Sequence, residues 1–450
     1  MSEAHVNFLG GSPLNRLSWL RTSSIFLNAL LDSPSTRWVA FQDGKPLIAS
    51  REKEARLALL TTSEVEPFIG SKPHFGQGQE EGVGFADVDL PILEASRFRG
   101  APIIFLGLSE PQPNDYSPGI SPGELAKALV GTPFFSIDVT EVSQTEIDRL
   151  VQTSVAGTGG YKLSFAEPRG ATRGMGDFDA GVFAEARSMV DWNSRNKFCA
   201  SCGSPVYSVW GGWKLSCASL LSSSNNAGRK PCPTQKGLHN ITHPRTDAVV
   251  IVAVLNEAQD KILLGRNKKF PAKFYSTLAG FIEPGESFED AVGRELWEEA
   301  GVRVRDVKYH SGQPWPYPAN LMVGFYAIGD PSQPIRIDLD KELEDAKWYT
   351  REEVLAVLQH KEGTNFTRGD YKQFVKSIDE RANVTVSGGD PLGGDAAVRD
   401  HQARDPPASI KSNVEELPFK LPPRTAIAGV LISDWALGRA PAETTIKGRM

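Results

Sequence analysis

One acidic stretch, GFIEPGESFEDAVGRELWEEAGV at 280–302, constrains the fold of this chain more than any other feature. It holds seven carboxylates in 23 residues. Ser287 fits the N-cap position of a helix with Asp290 as its capping-box partner, and Gly301 fits the position that follows the last turn. The stretch therefore predicts a helix over about 288–300.

Three of these carboxylates, Glu295, Glu298 and Glu299, stand at positions i, i+3 and i+4 of the predicted helix. Residues at this spacing project from nearly the same face, so their like charges repel one another. A cation would relieve that repulsion, and oxygen ligands suit Mg²⁺ or Mn²⁺, which in turn suit phosphate substrates. Arg294 beside them can bridge two of the carboxylates. The alternative is a solvated acidic face of a surface helix, and the spacing alone leaves both open.

Length, charge and apolar segments narrow the class of protein. A chain of 450 residues exceeds one ordinary hydrophobic core and predicts two or three domains. The net charge of −6 argues against extended nucleic-acid binding, because phosphate contacts need clustered Lys and Arg. The start MSEAHVNFLGG lacks a secretory pattern, and the strongest apolar run, 248–255, is too short to cross a bilayer. We therefore expect neither export nor a membrane segment.

The cysteines are Cys199, Cys202, Cys217 and Cys232. Without an oxidising compartment, metal ligands or buried thiols are expected rather than disulfides. Two residues separate the first pair, a spacing that lets both thiolates bind one tetrahedral Zn²⁺. The 14 residues between the second pair look like an inserted loop, which costs little closure entropy. We predict a structural Zn²⁺ held by all four; the alternative replaces Cys217 or Cys232 by His239 or His243.

The pattern of apolar residues along the chain predicts a mixed α/β fold. Apolar runs such as PIIFLGL and PFFSIDV indicate buried strands in the first third. FDAGVFAEARSMVDWNSRNKF predicts a helix with an apolar stripe of Phe183, Ala186 and Val190. From Thr246, the runs DAVVIVAVLN, KILLGR, VGFYAIG and AKWYT indicate strands that alternate with helices. The polar segment 377–416 predicts a disordered insertion, after which an apolar segment should return to the same domain.

The acidic stretch resembles the Nudix box. Gly280, five residues, Glu286, seven residues and then RELWEEAGV match that motif at every defined position, with Leu296 and Val302 in the aliphatic slots. The resemblance implies an α/β/α sandwich in which the box forms a loop, a helix and a second loop. It also implies hydrolysis of a nucleoside diphosphate linked to another moiety, with divalent cations held by carboxylates of the box.

The segment SGQPWPYPANLM, 311–322, resembles the array that marks NADH pyrophosphatases among Nudix enzymes. Its three prolines predict a stiff loop that presents Trp315 and Tyr317 for stacking on a base or nicotinamide ring; the alternative is a Pro-rich turn with buried aromatics. Gly312, Tyr317 and Asn320 replace the Ser, Phe and Ser that are typical of the array. These changes affect the expected fine specificity more than the substrate class.

The resemblance implies a role for individual residues in metal binding and catalysis. The metal ligands would be Ala279 through its carbonyl, Glu295, Glu298, Glu299 and Glu342. Glu298 or Glu299 would act as the base, and Arg294 belongs to the same catalytic group.

The resemblance also implies a dinucleotide site. Phe281 would stack on a ring, and His243 sits where an aromatic residue usually precedes Pro-Arg. The remaining substrate-binding residues would be Gln313, Pro314, Trp315, Pro316, Tyr317, Pro318, Ala319, Asn320 and Ala428.

These features together predict a Nudix α/β/α sandwich preceded by a zinc ribbon and an N-terminal α+β Nudix-like domain. The predicted parts are an N-terminal NADH-pyrophosphatase-like domain at 1–165, a connecting helix at 166–195, a zinc ribbon at 196–244 and a Nudix domain at 245–440. The predicted reaction is Mg²⁺- or Mn²⁺-dependent hydrolysis of NADH, and also of NAD⁺, to AMP and the nicotinamide mononucleotide. The resemblance also suggests a homodimer.

Several alternatives stay open at this point. A Nudix enzyme could prefer ADP-ribose, dinucleoside polyphosphates or the NAD cap of RNA. From another class, the zinc module could belong to a nucleic-acid-binding protein with an inactive Nudix fold, against which the intact RELWEEAGV argues. The terminal Gly448-Arg449-Met450 is close to a peroxisomal tripeptide and predicts a peroxisomal location, with the cytoplasm as the alternative.

Overall fold

The computed structural model describes residues 6–52, 54–78, 92–112, 114, 116, 119–221, 232–236, 241–365 and 417–440. The predicted insertion at 377–416 and the terminal tripeptide at 448–450 lie outside this part of the chain. The chain divides into two compact units. Met1–Ala248 and Gly312–Met322 form the N-terminal unit, whereas Val249–Ser311 and Val323–Met450 form the C-terminal unit. The second piece of the N-terminal unit falls within the predicted Nudix domain, and the domain boundaries stay predictions.

The N-terminal unit is built on a six-stranded sheet within its described residues. The strands are β1 (Arg37–Gln42), β2 (Lys45–Arg51), β3 (Glu54–Leu57), β4 (Ile103–Ser109), β5 (Thr132–Asp138) and β6 (Lys162–Phe165). They run in the order β3-β2-β1-β5-β4, with β6 paired to β2. β1 and β5 are parallel, and the other pairs are antiparallel. The strands predicted from PIIFLGL and PFFSIDV are confirmed as β4 and β5.

Helices cover both faces of this sheet. They are α1 (Ser24–Leu31), α2 (Thr62–Ile69), α3 (Pro122–Ala128), α4 (Gln144–Thr153), α5 (Pro168–Ala171) and α6 (Asp177–Arg195). Because side chains alternate along a strand, Trp38 of β1 joins one apolar cluster with α1, while the adjacent Val39 joins another with α6. Phe183, Ala186 and Val190 are buried in that second cluster, so the predicted apolar stripe of α6 is confirmed.

A short hairpin of β7 (Val206–Val209) and β8 (Lys214–Cys217) follows α6 in the same unit.

A second six-stranded sheet contains the remaining strands of the described chain. These are β9 (Asp247–Leu255), β10 (Lys261–Asn267), β11 (Leu278–Phe281), β12 (Val304–Trp315), β13 (Asn320–Gly329) and β14 (Leu343–Thr350). Their order is β12-β13-β9-β10-β14, with β11 paired to β9. The accompanying helices are α7 (Phe288–Ala300), α8 (Arg351–Gln359) and α9 (Ile427–Ala436). Tyr326 of β13 donates a hydrogen bond to the Leu431 carbonyl of α9, so the late apolar segment does return to this unit.

The stiff loop predicted at 311–322 is mostly a β-hairpin. β12 extends to Trp315, β13 begins at Asn320, and only four residues form the turn between them, with a cis Tyr317-Pro318 bond. The Pro-rich composition suggested a loop, but β12 is an edge strand, where Pro314 can lack a backbone N–H without losing a ladder bond. None of the helices in the described segments combines the length and apolar character that a membrane-spanning helix needs.

Candidate active site

Helix α7 carries the acidic stretch, and its ends are set by local chemistry. The Asp290 N–H donates to Ser287 Oγ at 3.2 Å, and the Asp290 carboxylate accepts from the Ser287 N–H at 3.0 Å. At the other end Gly301 adopts a left-handed conformation with φ 66° and ψ 17°, where a side chain would be strained. The predicted helix over 288–300 and its predicted caps are therefore confirmed.

Arg294 organises the carboxylates on this helix. Its guanidinium donates to Glu286 at 2.5 and 2.9 Å, to Glu295 at 2.9 Å and to Glu298 at 3.0 Å. It also donates to the Phe281 carbonyl at 2.8 Å. The hydrogen bonds from Arg294 are the main reason that the pKa of Glu286 is lowered to about 2. Arg294 thus binds three carboxylates rather than the predicted two, and Glu286 joins the site although the sequence indicated it only as a motif position.

Glu299 is the most deeply buried carboxylate of the site, with 4% of the residue exposed. One oxygen accepts a hydrogen bond from the Ala279 N–H at 3.3 Å. Burial raises the pKa of Glu299 well above its ordinary value, and the negative charges of Glu342, Glu295 and Asp340 raise it further. A buried carboxylate among other carboxylates needs a proton or a metal cation to be stable.

Strand β11 lies directly against this helix at Gly280. A Cβ on Gly280 would stand 1.8 Å from the carboxyl carbon of Glu295, so only glycine permits the approach. Burial raises the pKa of Glu295, and the contact with Arg294 opposes that shift. The presence of glycine at position 280 thereby has a steric explanation in this chain.

The other predicted residues of the C-terminal unit differ in exposure. Glu342 is exposed at the start of β14, where one oxygen accepts a hydrogen bond from Asn267 at 2.8 Å. The Phe281 side chain is solvent-facing, with 56% of the residue exposed. Ala428 is buried in α9. Asp340 and Asn267 were not predicted; the acidic run around 338–345 is the signal that could have indicated Asp340.

The residue types of the candidate site suit a hard divalent cation, because carboxylate and carbonyl oxygens are the ligands that Mg²⁺ and Mn²⁺ prefer. In the described segments no three of these carboxylates have ligand atoms that all lie within 4.8 Å of one another, so the side chains would have to move closer to share one ion. Glu295 and Glu298 each direct one oxygen to Arg294, so a cation would use their other oxygens or displace that contact. Ala279, Glu295, Glu298, Glu299 and Glu342 would be the residues to hold it.

The four cysteines form a separate cluster in the N-terminal unit. Among the described residues, they are the one group of His, Cys, Asp or Glu side chains whose ligand atoms all lie within 4.8 Å of one another. The Sγ atoms of Cys199 and Cys232 are 3.6 Å apart, and those of Cys202 and Cys217 are 3.4 Å apart. Zn–S bonds of about 2.3 Å give sulfur–sulfur edges of about 3.8 Å in a tetrahedron, so the cluster can hold Zn²⁺.

The two alternative zinc ligands are His243 and His239. His243 packs against Trp210, with ring centroids 5.3 Å apart. His239 is outside the described residues. The geometry thus favours the set of four cysteines.

The predicted substrate-binding array at 313–320 belongs to the N-terminal unit. Gln313 is fully buried at 0% exposure, and its amide donates to the Phe8 carbonyl at 2.8 Å. Trp315 and Tyr317 contact each other edge to face, at 5.0 Å between centroids, and pack on the apolar cluster that contains α6. Their roles in substrate binding, like those of Pro314, Pro316, Pro318, Ala319 and Asn320, stay predictions.

Comparisons with known proteins indicate the same family as the motif in α7. Residues 244–369 match the family model of the NUDIX domain. The chain is 34% identical over 361 residues to the NAD-capped RNA hydrolase of Schizosaccharomyces pombe, covering 79% of this chain and 86% of that protein. It is 33% identical to the human NAD-capped RNA hydrolase NUDT12, and the match covers 78% of this chain and 68% of that protein. It is 31% identical to the NAD-capped RNA hydrolase NPY1 of Saccharomyces cerevisiae, and that match covers 78% of this chain and 87% of the relative. This chain therefore belongs to the Nudix hydrolase family, together with these NAD-capped RNA hydrolases.

Proposed function

We propose that this enzyme hydrolyses the pyrophosphate bond of NAD-type dinucleotides, NADH and NAD⁺, to AMP and the corresponding nicotinamide mononucleotide. The observation that carries the proposal is the buried Glu299 carboxylate of α7, one helical turn after Glu295, with the negative charges of Glu342 and Asp340 acting on it. Such a concentration of negative charge binds cations, and cations neutralise pyrophosphate.

The proposed reaction needs Mg²⁺ or Mn²⁺. When bound, the divalent cation supplies positive charge against the developing negative charge on phosphate and lowers the pKa of a coordinated water. Glu295 and Glu299, with the Ala279 carbonyl, suit this role because they are buried or half-buried and adjacent. Arg294 fixes the rotamers of Glu295 and Glu298, so the carboxylates are oriented before substrate arrives.

Proton transfer is assigned to Glu298 or Glu299. The oxygen of a water molecule forms a new bond to one phosphorus, the bridging P–O bond breaks, and the proton of the water passes to a carboxylate. The Glu298 side chain is 48% exposed and therefore accessible to a water molecule, whereas Glu299 is buried. A Glu298→Gln variant should lose turnover while still binding Mn²⁺.

Selection of the dinucleotide is assigned to the array at 313–320 and to the exposed ring of Phe281. The Pro-Trp-Pro-Tyr-Pro sequence supports stacking on one ring of the dinucleotide, and the solvent-facing Phe281 of the C-terminal unit independently supports stacking on a ring. The NAD cap of RNA is the second candidate substrate, and the similarity to three proteins named NAD-capped RNA hydrolases favours it. It contains the same pyrophosphate and the same nicotinamide end.

A product assay tests the proposed function. Wild type, Glu295→Gln and Glu299→Gln are incubated with NADH, NAD⁺, NAD-capped RNA, ADP-ribose or a dinucleoside polyphosphate, in Mn²⁺ or Mg²⁺. We expect AMP and nicotinamide mononucleotide from the first two substrates, and a loss of at least ~10²-fold in turnover for both variants. Near-normal turnover in both variants would refute the catalytic assignment. Absence of turnover on every substrate, with binding of RNA to filters, would favour an inactive Nudix fold.

Two further features belong to the proposal. The four-cysteine cluster is proposed to hold one structural Zn²⁺, on the strength of its sulfur–sulfur distances. A homodimer is proposed from family resemblance, and sedimentation of the purified enzyme would test it.

A further inference from the structure

The tip of the β12–β13 hairpin, residues 312–322, groups with the N-terminal unit. Two side-chain hydrogen bonds attach it to the first residues of the described chain. Asn7 donates through Nδ2 to the Gly312 carbonyl at 2.9 Å, and Gln313 donates through Nε2 to the Phe8 carbonyl at 2.8 Å. Both side chains are buried, at 4% and 0% exposure. Buried hydrogen bonds of this kind define one backbone position for the tip.

A third attachment acts on an aromatic ring of the tip. The guanidinium carbon of Arg169 lies 4.8 Å from the centre of the Tyr317 ring, within the range of a cation–π contact. Tyr317 also packs against the apolar cluster that contains α6. Arg169 lies in α5, so a helix of the N-terminal unit provides this contact to the ring.

These attachments divide the array into two groups. The amide of Gln313 is enclosed and already donates to protein, so a substrate cannot reach it without moving the tip. Pro314, Trp315, Tyr317, Pro318 and Asn320 are partly exposed. Gln313 therefore holds the tip, and the partly exposed residues remain available to a ligand.

We infer that Asn7 and Arg169 are positioning residues for substrate selection: they hold the hairpin tip in the conformation that discriminates the nicotinamide-containing half of the dinucleotide. The inference rests on the proposed function, because it takes the array at 313–320 as the selecting element. Positioning matters because binding energy depends on aligned contacts, and loss of a contact that is equally strong in the ground and transition states raises KM without changing kcat.

The test compares two substrates that share a pyrophosphate and differ in the nicotinamide ring, NADH and ADP-ribose. Asn7→Ala should raise KM for NADH by ~10-fold and leave kcat/KM for ADP-ribose within about twofold. Arg169→Met should act in the same direction, and Arg169→Lys should restore most of the loss because it keeps a cation over the ring.

Asn28 supplies a matched control in the same unit. Its Nδ2 donates to the Phe75 carbonyl at 2.9 Å, the same type of bond as that of Asn7, and it lies in α1 rather than at the hairpin tip. Asn28→Ala should lower Tm while leaving the ratio of NADH to ADP-ribose hydrolysis unchanged.

The possible results separate the two claims. If wild type prefers NADH and the Asn7 and Arg169 variants keep that preference, the positioning role alone is overturned. The same holds if Asn28→Ala reduces the preference as much as Asn7→Ala does. A wild-type enzyme that does not discriminate NADH from ADP-ribose would overturn the proposed substrate and the positioning role with it. If Asn7→Ala does not fold, the Arg169→Met and Arg169→Lys pair decides.

Discussion

At the scale of single residues, the Glu295 carboxyl group occupies the space that a side chain on Gly280 would need. A Cβ on Gly280 would come within 1.8 Å of the Glu295 carboxyl carbon, so Gly280→Ala should displace that carboxylate and reduce kcat by at least ~10-fold. Gly293 on the same helix is the control, because a Cβ there meets no atom within 4 Å. Gly293→Ala should retain kcat and gain about 0.5–1 kcal/mol of stability. Steady-state kinetics and urea unfolding check both variants, and equal kcat values would contradict the steric argument.

Glu299 should show opposite effects on activity and stability. Replacing it with Gln removes a buried charge that Glu342, Glu295 and Asp340 repel. We therefore expect Glu299→Gln to raise Tm when no Mg²⁺ or Mn²⁺ is added, although the variant loses turnover. Thermal unfolding in buffer without added Mg²⁺ or Mn²⁺ measures the first effect, with the exposed Glu289→Gln of the same helix as control. A lower Tm for Glu299→Gln than for Glu289→Gln would contradict the unfavourable buried charge.

At the scale of elements, α7 depends on its N-cap. Ser287 accepts the Asp290 N–H, which would otherwise lack a partner at the helix start. Ser287→Ala should cost about 1 kcal/mol, and Ser287→Asp should recover most of it. The midpoint of urea unfolding measures this loss. An unchanged midpoint in Ser287→Ala would show that packing against the sheet, and not the cap, sets the stability of this helix.

Helix α6 contains a buried acid whose charge should make stability depend on pH. Burial raises the pKa of Glu185 from 4.5 to about 8, while Arg16 at 2.9 Å and Arg21 oppose that shift. The pKa of Glu185 is higher in the folded protein than in the unfolded chain. The contribution of Glu185 to stability is therefore complete below pH 4.5 and is lost as pH rises to about 8. Over this pH window the free energy of unfolding should fall more steeply in wild type than in Glu185→Gln. The difference between the two slopes should reach up to about 1.4 kcal/mol per pH unit. Parallel pH profiles of the two proteins would contradict the raised pKa.

At the scale of the whole molecule, the four cysteines join segments that are distant in sequence. Cys199 and Cys232 are 33 residues apart, yet their sulfurs lie at 3.6 Å. Elemental analysis should find one zinc per chain, and Cys199→Ser should lose it and unfold or aggregate, since structural zinc supplies folding energy. Glu295→Gln, in the other unit, should keep the zinc. Full zinc content in Cys199→Ser would refute the four-cysteine site.

The features that could be predicted from sequence are local. The bounds of α7 followed from Ser287, Asp290 and Gly301, because capping groups act within one turn of the helix that they end. The apolar stripe of α6 and the buried strands β4 and β5 followed from periodicity, which records which face of an element is buried. The acidic face of α7 followed from the helical repeat of 3.6 residues per turn, which places positions i, i+3 and i+4 on one face.

The features that could not be predicted depend on partners far along the chain. The prolines predicted that Gln313 and Tyr317 lie in a stiff loop, but no local pattern could indicate that Gln313 contacts the Phe8 carbonyl, 305 residues away. Composition likewise indicated a loop at 311–322, and pairing of β12 with β13 made it a hairpin whose tip joins the N-terminal unit. The burial of Glu299 and its hydrogen bond from the Ala279 N–H likewise arise only when α7 packs against β11. Motif spacing thus predicts which residues react, whereas long-range packing determines their burial, the shifts of their pKa values and the residues that hold them.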